Sequence, residues 1–376
     1  MAHEPAPDQT FGDGHSDGLE PVYPIDVVHR GATASDLLRE YAHTAFGGRN
    51  LGEAADVLEG MIRDPECFVV CTVAGAMTVA KQGLLLCDMI DRGWIHAIVA
   101  TGALMTHGFV EGSGRTHFKY DPRMNDVDLH KKGYDRVYDT LELEQNLDEV
   151  DHIIREVVET IPEDATLYSA LVMRELGRWL DRTMAADGRA VLRSAFRKNV
   201  PVYVPAFTDS EMGLDVAVLN QVRLAAGKKR RAYDPFFDVE HYARHVAGQT
   251  RCGIFTIGGG VPRNWAQQLG PFVDHMNKTT TRTGKGFRFT YGVRICPEPV
   301  HWGGLSGCTY SEGVSWGKFV PPAEGGRFSE VLCDATIAWP LLVRGLWERV
   351  GDAPAKKTLK NPNDEDRIVW RGTELP

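Results

Sequence analysis

Two kinds of hydrophobic pattern alternate along the chain, and together they predict a parallel sheet covered by helices. Continuous apolar runs predict strands at residues 67–74, 95–100, 200–207 and 252–257. Apolar positions that recur at spacings of three and four predict helices at residues 35–46, 51–63, 147–160, 167–184, 239–247 and 331–350. Strands that are apolar throughout need helices on both faces. We therefore predict an α/β fold with a doubly wound, Rossmann-like, mostly parallel sheet.

The extent of this pattern predicts the domain organisation. No Pro/Gly/Ser-rich linker and no internal repeat interrupts it from about residue 67 to residue 318, which favours one large domain at residues 25–353. Residues 1–24 are interpreted as a mobile N-terminal arm and residues 354–376 as a C-terminal tail. Residues 112–138 and 279–286 are predicted to be irregular.

Composition limits the partners of this domain. The 376 residues include 42 Lys and Arg against 51 Asp and Glu, so the formal charge is −9, which disfavours binding to nucleic acid and favours cationic ligands. No apolar run approaches the ~20 residues of a membrane span, and the amino terminus lacks the pattern of a signal peptide. We expect a cytoplasmic protein with no membrane contact, whose seven scattered cysteines are reduced thiols.

Three of the predicted strands run directly into glycine-rich turns. These turns contain Gly75, Gly102 and the run Gly258, Gly259 and Gly260. A turn without bulky side chains at the start of a helix lets backbone amides approach a pyrophosphate closely. None of the turns matches the spaced G-x-G-x-x-G fingerprint, so a tight connection without a ligand is the equal alternative for each.

A polar group follows the strand predicted at residues 200–207. Thr208, Asp209 and Ser210 come at the edge of the sheet where the glycine-rich turns are also expected. An aspartate in this place either contacts the ribose of a nucleotide or caps the next helix. The two interpretations of Asp209 carry equal weight.

One lysine near the end of the domain stands beside a glycine and a tryptophan. It is the last residue of the string Ser315-Trp316-Gly317-Lys318, and Glu312 precedes it by six positions. A lysine beside indole surface in a partly dry pocket has a lowered pKa and can act as an imine-forming nucleophile. The indole face would also attract an amine substrate. The alternative is a solvated loop lysine, which is the more common case on chemistry alone.

These features occur together in a known family. The string EGVSWGKF is similar to the active-site lysine segment of the deoxyhypusine synthase family, and TVAGA, ATGAL, VPVYVPAFTDSEMG, GGGVP and CDAT occur around it in the family's order. The resemblance covers roughly residues 60–345. It implies an NAD-dependent aminobutyl transferase that oxidises a polyamine such as spermidine and captures the four-carbon fragment on the lysine. It also implies a homotetramer with active sites between subunits.

The resemblance assigns roles to individual residues. The catalytic positions are Lys318 as the nucleophile, Glu312 as a carboxylate that anchors the substrate, and Trp316 as a wall of the amine tunnel. The substrate-binding positions are Ser306, Gly307, Asn264, Gln268 and Asp215. The positions that would bind NAD are Thr101, Gly102, Ala103, Asp209, Gly258, Gly259, Gly260, Asp334 and Ala335.

Several positions depart from the family pattern. Asn264 stands where the family has a catalytic histidine, and an amide cannot move a proton near neutral pH as imidazole does. Leu305 replaces an aspartate that holds the amine terminus, and another family aspartate is displaced to Asp215 or lost at Leu214. Arg294 falls where the family has an aromatic residue, and its charge would repel a second ammonium group.

These departures predict a divergent branch of the family. The acceptor is either a protein lysine or a small diamine such as putrescine, which would yield homospermidine. A noncatalytic, dinucleotide-binding protein that kept the fold is the alternative from another functional class. His301 is a candidate for the missing base, although a histidine beside Trp302 is more often a packed core or surface residue.

Three other groups of residues are weighed and set aside. His241 and His245 have the i, i+4 spacing of zinc ligands, but no third ligand is evident, so we expect a surface helix and no metal site. Cys67 and Cys71 share one face of a strand and are expected in the core. The basic run at residues 228–231 is interpreted as a solvated loop, with contact to an anionic neighbour as the alternative.

Overall fold

The fold is built on a six-stranded parallel sheet. The computed structural model describes residues 12–31, 33–279 and 286–351, residues 357 and 359, and two short strands after them. The strands are β1 (Cys67–Val73), β2 (Ala97–Ala100), β3 (Phe118–Lys119), β4 (Tyr134–Val137), β5 (Thr140–Leu143), β6 (Val202–Tyr203), β7 (Arg251–Ile257), β8 (Tyr291–Ile295), β9 (Arg327–Val331), β10 (Val369–Trp370) and β11 (Thr373–Glu374). The central sheet has the order β6-β2-β1-β7-β8-β9, and all its neighbouring strands are parallel.

Helices connect the strands and cover both faces of this sheet. They are α1 (Ala34–Ala42), α2 (Phe46–Arg63), α3 (Gly83–Asp91), α4 (Gly102–Gly112), α5 (Asp126–Lys131), α6 (Glu144–Thr160), α7 (Ser169–Thr183), α8 (Val191–Lys198), α9 (Glu211–Ala225), α10 (Phe236–Val246), α11 (Gly260–Gln267), α12 (Leu269–Thr279), α13 (Tyr310–Ser315) and α14 (Ala335–Val350). The predicted α/β fold is confirmed. Within the described residues, no helix has both the length and the apolarity to cross a membrane.

The chain winds away from β1 in two directions. β2 and β6 lie on one side of β1, whereas β7, β8 and β9 lie on the other. Val73 at the end of β1 pairs in register with Ile257 at the end of β7. The loops after these two strands therefore start side by side and diverge. In an open α/β sheet such a switch point leaves a crevice outside the carboxyl ends of the strands, where ligands bind.

The central strand β1 is buried at every position because both of its faces are covered. Phe68 and Val70 pack in a cluster with residues of α10, α11 and α12. Cys67 and Cys71 point to the other face and pack in a larger cluster with α2, α3, α4 and α14. The prediction that these two cysteines belong to the core is confirmed, and burial raises the pKa of Cys67 to about 12. All seven cysteines of the chain are free.

Several predicted elements are wrong in their extent, and two of them lie at the edges of the sheet. The strand expected at residues 200–207 is reduced to β6, since Pro201 and Pro205 flank it and lack the N–H that a strand ladder requires. The last long helix begins at Ala335 and not at residue 331, because Val331 still belongs to β9. The Asp334 carboxylate then caps α14 by accepting from the Thr336 N–H at 2.8 Å.

The prediction that residues 112–138 are irregular is wrong. This stretch contains β3, α5 and β4. These elements form a three-stranded antiparallel sheet with β5, in the order β3-β5-β4. The strands are short, and β3 and the middle of β4 are exposed. Their sequence is therefore polar, and it lacks the apolar alternation by which strands are usually recognised.

The interpretation of residues 228–231 as a solvated loop is wrong for Arg231, the last residue of the run. Arg231 is buried, and its guanidinium donates to the carbonyls of Val158, Ile161 and Pro162 at 2.8, 3.1 and 2.9 Å. The Val158 carbonyl lies in the last turn of α6, and those of Ile161 and Pro162 directly follow the helix. Carbonyls at a helix end lack the full set of bonds made inside a helix, and the buried guanidinium supplies donors there. Residues 1–11 of the predicted arm, the tract at 280–285 and most of the predicted tail lie outside the described residues.

Candidate active site

An open groove lies at the carboxyl edge of the sheet, beside the switch point. It has a volume of about 490 Å³ and is lined by residues that follow β1, β2 and β6. Three predicted cofactor positions, Thr101, Ala103 and Asp209, line it together with Gly75 and Leu214. The Thr101 hydroxyl donates to the Gly75 carbonyl at 2.6 Å and so joins the loops after β1 and β2.

Two glycines at this edge allow approaches that a larger residue would block. A Cβ on Gly102 would lie 2.1 Å from the Cβ of Ser210, and a Cβ on Gly259 would lie 2.5 Å from the Cα of Ser306. The Ser306 hydroxyl accepts a hydrogen bond from the Gly260 N–H at 3.0 Å. The structure therefore places the predicted substrate residue Ser306 against the predicted cofactor turn at the start of α11.

Helix capping at the groove is done by hydroxyl groups. Thr101 caps α4 by accepting from the Leu104 N–H at 3.3 Å, and Ser210 caps α9 by accepting from the Gly213 N–H at 3.3 Å. Asp209 is exposed in the groove and is not the cap of α9. Of the two interpretations of this aspartate, helix capping is therefore wrong, because the next residue makes the cap.

The turn that carries Lys318 ends α13 in a fixed geometry. Gly317 has a φ of +68°, in the left-handed region that favours glycine. Its N–H donates to the Val314 carbonyl at 3.0 Å, and the Lys318 N–H donates to the Gly313 carbonyl at 3.0 Å. This pair of bonds is a Schellman motif. Gly317 is thus explained by backbone conformation, since it sets the direction in which the chain leaves the helix toward Lys318.

The residues after the turn also fix the position of Lys318. The Lys318 carbonyl accepts from the Phe289 N–H at 2.9 Å. Phe319 is buried, with its ring centroid 4.9 Å from that of Tyr310 and 5.4 Å from that of Phe328. Successive side chains of an extended segment point to opposite sides. The buried Phe319 ring therefore holds Lys318 on the other side of the segment.

The amine of Lys318 is partly withdrawn from water beside an indole ring. Burial lowers the pKa of Lys318, and the nearby charge of Arg263 lowers it further, while Cys308 and Glu312 act in the opposite direction. The Nζ atom lies 5.8 Å from the centre of the Trp316 ring, and that ring is 65% exposed. A lowered pKa leaves more of the neutral amine, which is the nucleophilic form.

The other predicted substrate positions lie on the loop before Cys308 and on α11. Ser306 and Gly307 belong to the loop that leads to Cys308, the residue whose thiol interacts with Lys318. Asn264 is half-buried on α11, and Gln268 is exposed at the end of that helix.

Asp215 does not line the groove. Burial and the neighbouring Asp151 of α6 raise the pKa of Asp215 to about 7, so its carboxylate faces α6. The preceding residue of α9, Leu214, lines the groove instead and is 60% exposed. The α9 helix therefore presents an apolar side chain at the position where the resemblance leads us to expect an aspartate.

Arg294 has a structural role that sequence reasoning missed. Its guanidinium donates to the Ser306 carbonyl and, at 2.9 Å, to the Cys308 carbonyl. It also pairs with Glu330 at 3.1 Å. Its charge is thus neutralised in the sheet, and the expected repulsion of a second ammonium group has no support in these contacts. No local signal could have revealed this role, because Glu330 follows 36 residues later.

His241 and His245 pack against β6, so the expectation that they lie on a surface helix is wrong. The Tyr203 hydroxyl is hydrogen-bonded to Nδ1 of His241 at 2.9 Å, and Nδ1 of His245 donates to the His241 carbonyl at 2.8 Å. Burial lowers the pKa of His241 to about 3 and that of His245 to about 4. Both rings are therefore neutral packing residues. His301 is exposed beside Trp302, and its role as a base stays a prediction.

We expect Lys318 to react with amine-specific reagents at a lower pH than an exposed lysine. Because its pKa is lowered, the neutral amine appears earlier as pH rises. Trace acetylation between about pH 6 and 10, read by peptide mass spectrometry, should give a half-maximal reactivity for Lys318 below that of the exposed Lys228 in the same sample. Equal or reversed midpoints would contradict the burial argument.

Comparisons with known proteins show which family this chain is similar to. A family model described as deoxyhypusine synthase matches residues 36–346. "Probable deoxyhypusine synthase 2" of Methanosarcina acetivorans is 33% identical over 332 residues, which cover 88% of this chain and 91% of the relative. The "Deoxyhypusine synthase-like protein" of Chlorobaculum parvum is 28% identical over 324 residues, which cover 86% of this chain and 88% of that protein.

A solved structure shares the fold. The crystal structure of a protein assigned as a deoxyhypusine synthase from Entamoeba histolytica has a TM-score of 0.57 and 14% sequence identity, covering 86% of this chain and 96% of that one. The family model spans the sheet, the groove and the lysine turn alike. The chain therefore belongs to the deoxyhypusine synthase family, a family of transferases.

Proposed function

We propose that this protein is an NAD-dependent alkylamine transferase that carries a four-carbon amine fragment on Lys318. The observation that carries the proposal is the setting of that lysine. It is a half-buried amine with a lowered pKa, held by the Schellman turn and the Phe289 contact, and it lies 5.8 Å from an exposed indole ring. A solvated loop lysine needs none of these features, whereas an imine-forming lysine is activated by the desolvation and the lowered pKa found here.

The residues of the groove fit a dinucleotide. Gly102 and Gly259 permit a close backbone approach, and α4 and α9 both begin at the groove, where a helix start favours a phosphate. Asp209 offers an exposed carboxylate to a ribose hydroxyl. NAD, when bound, supplies the acceptor for a hydride from the carbon next to the donor's secondary amine and returns that hydride at the end of the cycle.

Lys318 makes and breaks the carbon–nitrogen bonds of the proposed reaction. Oxidation of the donor leaves a carbon–nitrogen double bond, and the neutral Nζ adds to its carbon. The bond to the departing amine then breaks, and with spermidine as donor 1,3-diaminopropane leaves. The acceptor amine adds to the imine carbon held on Nζ, the lysine is released, and the returned hydride reduces the new imine to a secondary amine. The cycle consumes no net oxidant.

Trp316 and Glu312 would bind the donor. An indole face attracts ammonium groups, and a carboxylate pairs with them. Glu312 lies in the first turn of α13, and the Schellman turn lies at the other end of that helix. The same short helix therefore holds the cation-binding groups and the nucleophile at a fixed spacing.

The charges that this chain lacks bear on the choice of acceptor. Asn264 and Leu305 replace an ionisable and an anionic residue of the family pattern, and Leu214 is the side chain of α9 in the groove. We propose an amine acceptor that needs fewer carboxylates than the family's usual complex, either a small diamine such as putrescine or a protein lysine.

We further propose that the protein acts as a homotetramer. Leu214, Val218 and Val222 form an exposed apolar stripe at i, i+4 and i+8 along α9, beside the groove. Trp302 and Leu305 are also exposed at the same edge. Contiguous apolar surface of this kind is typical of protein interfaces. Native mass spectrometry should give four chains per particle, and a monomer at all concentrations would contradict the proposal.

The proposed function is tested by product analysis. The purified protein, NAD and spermidine are incubated with putrescine, with a lysine-bearing acceptor protein, or with neither. We expect release of 1,3-diaminopropane and transfer of a four-carbon amine to one acceptor, without net reduction of NAD. Binding of NAD with no product from any donor and acceptor would contradict the proposal and favour a noncatalytic dinucleotide-binding protein.

A further inference from the structure

A buried cluster of two histidines and one glutamate lies away from the lysine turn. His107 lies in α4, His117 precedes β3, and Glu142 lies in β5. His107 and His117 are each 6% exposed, and Glu142 is fully buried. Three separate segments therefore converge on a site that the reaction proposed above does not use.

Three side-chain atoms of this cluster face one another. Nδ1 of His107 lies 3.2 Å from Oε2 of Glu142, and Nε2 of His117 lies 2.7 Å from the same oxygen. The two ring nitrogens are 3.4 Å apart. Ligand atoms around a tetrahedral zinc ion, with bonds of about 2.0–2.1 Å, are separated by roughly 3.3 Å. Two of the three separations match that value, and the third is shorter, as expected for a hydrogen bond.

The triangle of atoms has the size that a small divalent ion requires. A circle through the three atoms has a radius of about 1.8 Å. An ion at about 2.05 Å from each atom would lie roughly 1 Å out of their plane, on the side where a fourth ligand completes a tetrahedron. No atom of the triangle must move by more than a few tenths of an ångström to reach this arrangement.

Neighbouring groups orient the ligands. The other oxygen of Glu142 accepts from the Leu143 N–H at 2.9 Å and from the Asn146 amide at 2.8 Å. This leaves Oε2 for the histidines. Glu111 lies 3.7 Å from Nδ1 of His117, the position of the outer carboxylate that commonly orients a metal-bound histidine.

Lys81 determines which nitrogen of His117 carries the hydrogen when the cluster is held by hydrogen bonds alone. Its ammonium donates to Nδ1 of His117 at 3.0 Å and also pairs with Glu111. Nε2 of His117 then carries the hydrogen that points at Glu142. An ion would take the place of that hydrogen, which would move to Nδ1 and donate to Glu111, while Lys81 keeps its ion pair with Glu111.

We propose that His107, His117 and Glu142 form a binding site for one divalent transition-metal ion, with zinc the best match. Two imidazole nitrogens and one carboxylate are a common three-residue zinc set, with a water in the fourth position. Hard ions such as Mg²⁺ prefer oxygen ligands and would bind less well. The site is independent of the proposed transferase reaction.

The ion would join the small antiparallel sheet to the main domain. His117 and Glu142 belong to the segment around β3 and β5, whereas His107 lies in the helix whose first turn lines the groove. A metal bond across these segments would stabilise the fold, because a preformed site exists only in the folded protein. We therefore expect zinc to raise the melting temperature, with or without amines present.

The test uses the full chain, expressed in zinc-supplemented medium and purified without a histidine tag. Elemental analysis should find about one zinc ion per chain. After chelation, Co²⁺ should give the visible absorption of a tetrahedral nitrogen and oxygen site, and zinc should restore the melting temperature. Wild-type protein with less than about 0.1 zinc per chain and no thermal response to zinc would overturn the proposal.

Matched variants separate this site from adventitious binding. Glu142→Gln and His117→Gln keep the size and polarity of the side chains and should lower zinc content at least about tenfold. His245→Gln, at a buried histidine outside the cluster, should leave it unchanged. Equal zinc content in all variants would overturn the assignment. If a variant fails to fold, the Co²⁺ spectrum of the wild-type protein decides.

Discussion

Replacement of Lys318 by arginine should abolish turnover while leaving NAD binding intact. Arginine keeps the positive charge and most of the side-chain volume, but its guanidinium stays protonated and cannot add to an imine carbon. We expect the rate of amine transfer to fall by at least about a thousandfold, as for other lost nucleophiles. Because Lys318 is not among the residues that line the groove, the dissociation constant for NAD should change by less than about twofold.

The matched control for this variant is Lys228→Arg. Lys228 is exposed and lies in the loop after α9. The same chemical change there should leave both turnover and NAD binding unchanged. If Lys318→Arg retained the activity of the control, the covalent role of this lysine would be excluded, and a mechanism by direct displacement would have to replace it.

Replacement of Gly259 by alanine should disrupt the cofactor edge of the sheet. The new Cβ would lie 2.5 Å from the Cα of Ser306, a backbone atom that cannot move without its loop. The loop would shift, and the hydrogen bond from the Gly260 N–H to the Ser306 hydroxyl would be lost. We expect NAD affinity to fall at least about tenfold and folding stability to fall by about 1–3 kcal/mol, as for overpacking elsewhere.

Gly47→Ala is the matched control for this substitution. Gly47 lies in α2, and a Cβ there would meet no heavy atom within 4 Å. Alanine favours a helix over glycine, so this variant should be as stable as wild type or more stable by up to about 1 kcal/mol. Isothermal titration with NAD and thermal melting test both variants together. Wild-type affinity in Gly259→Ala would contradict the close approach at this turn.

The family and the candidate lysine turn could be recognised from the sequence because the motifs that carry the resemblance are short contiguous strings. The turn around Lys318 needs a glycine at one position for its left-handed conformation, and the sequence displays that glycine directly beside Trp316. The strands β1 and β7 are also readable, since burial on both faces makes them apolar throughout. In this turn and in these two strands, the local sequence preference matches the conformation that the fold requires.

The edge of the sheet beyond β7 could not be predicted in the same way. The strand β8 contains Gly292 and the buried Arg294, and β9 contains Glu330, the ion-pair partner of that arginine. An ion pair between a buried arginine and a half-buried glutamate makes both strands look polar in sequence. Its two members lie far apart in the sequence, so no pattern within either strand indicates that they neutralise each other.

The His107, His117 and Glu142 cluster was also hidden from sequence reasoning. Its members are separated by 10 and 35 residues and match no recognised ligand spacing. They meet only because residues 112–143 fold into a small sheet against α4, where a polar and irregular stretch was expected. By contrast, His241 and His245 have the regular spacing of ligands, but the sequence offers no third ligand and we expected a surface helix there; the structure shows two neutral packing residues.

The most direct test of the central claim is borohydride trapping. The purified protein is incubated with NAD and spermidine, putrescine or agmatine, reduced with borohydride, and examined by intact mass and peptide mapping. We expect a donor-dependent four-carbon amine adduct on Lys318, absent without NAD and absent in Lys318→Arg. Demonstrable NAD binding with no adduct from any amine, or an adduct on another lysine, would contradict the proposed role of Lys318.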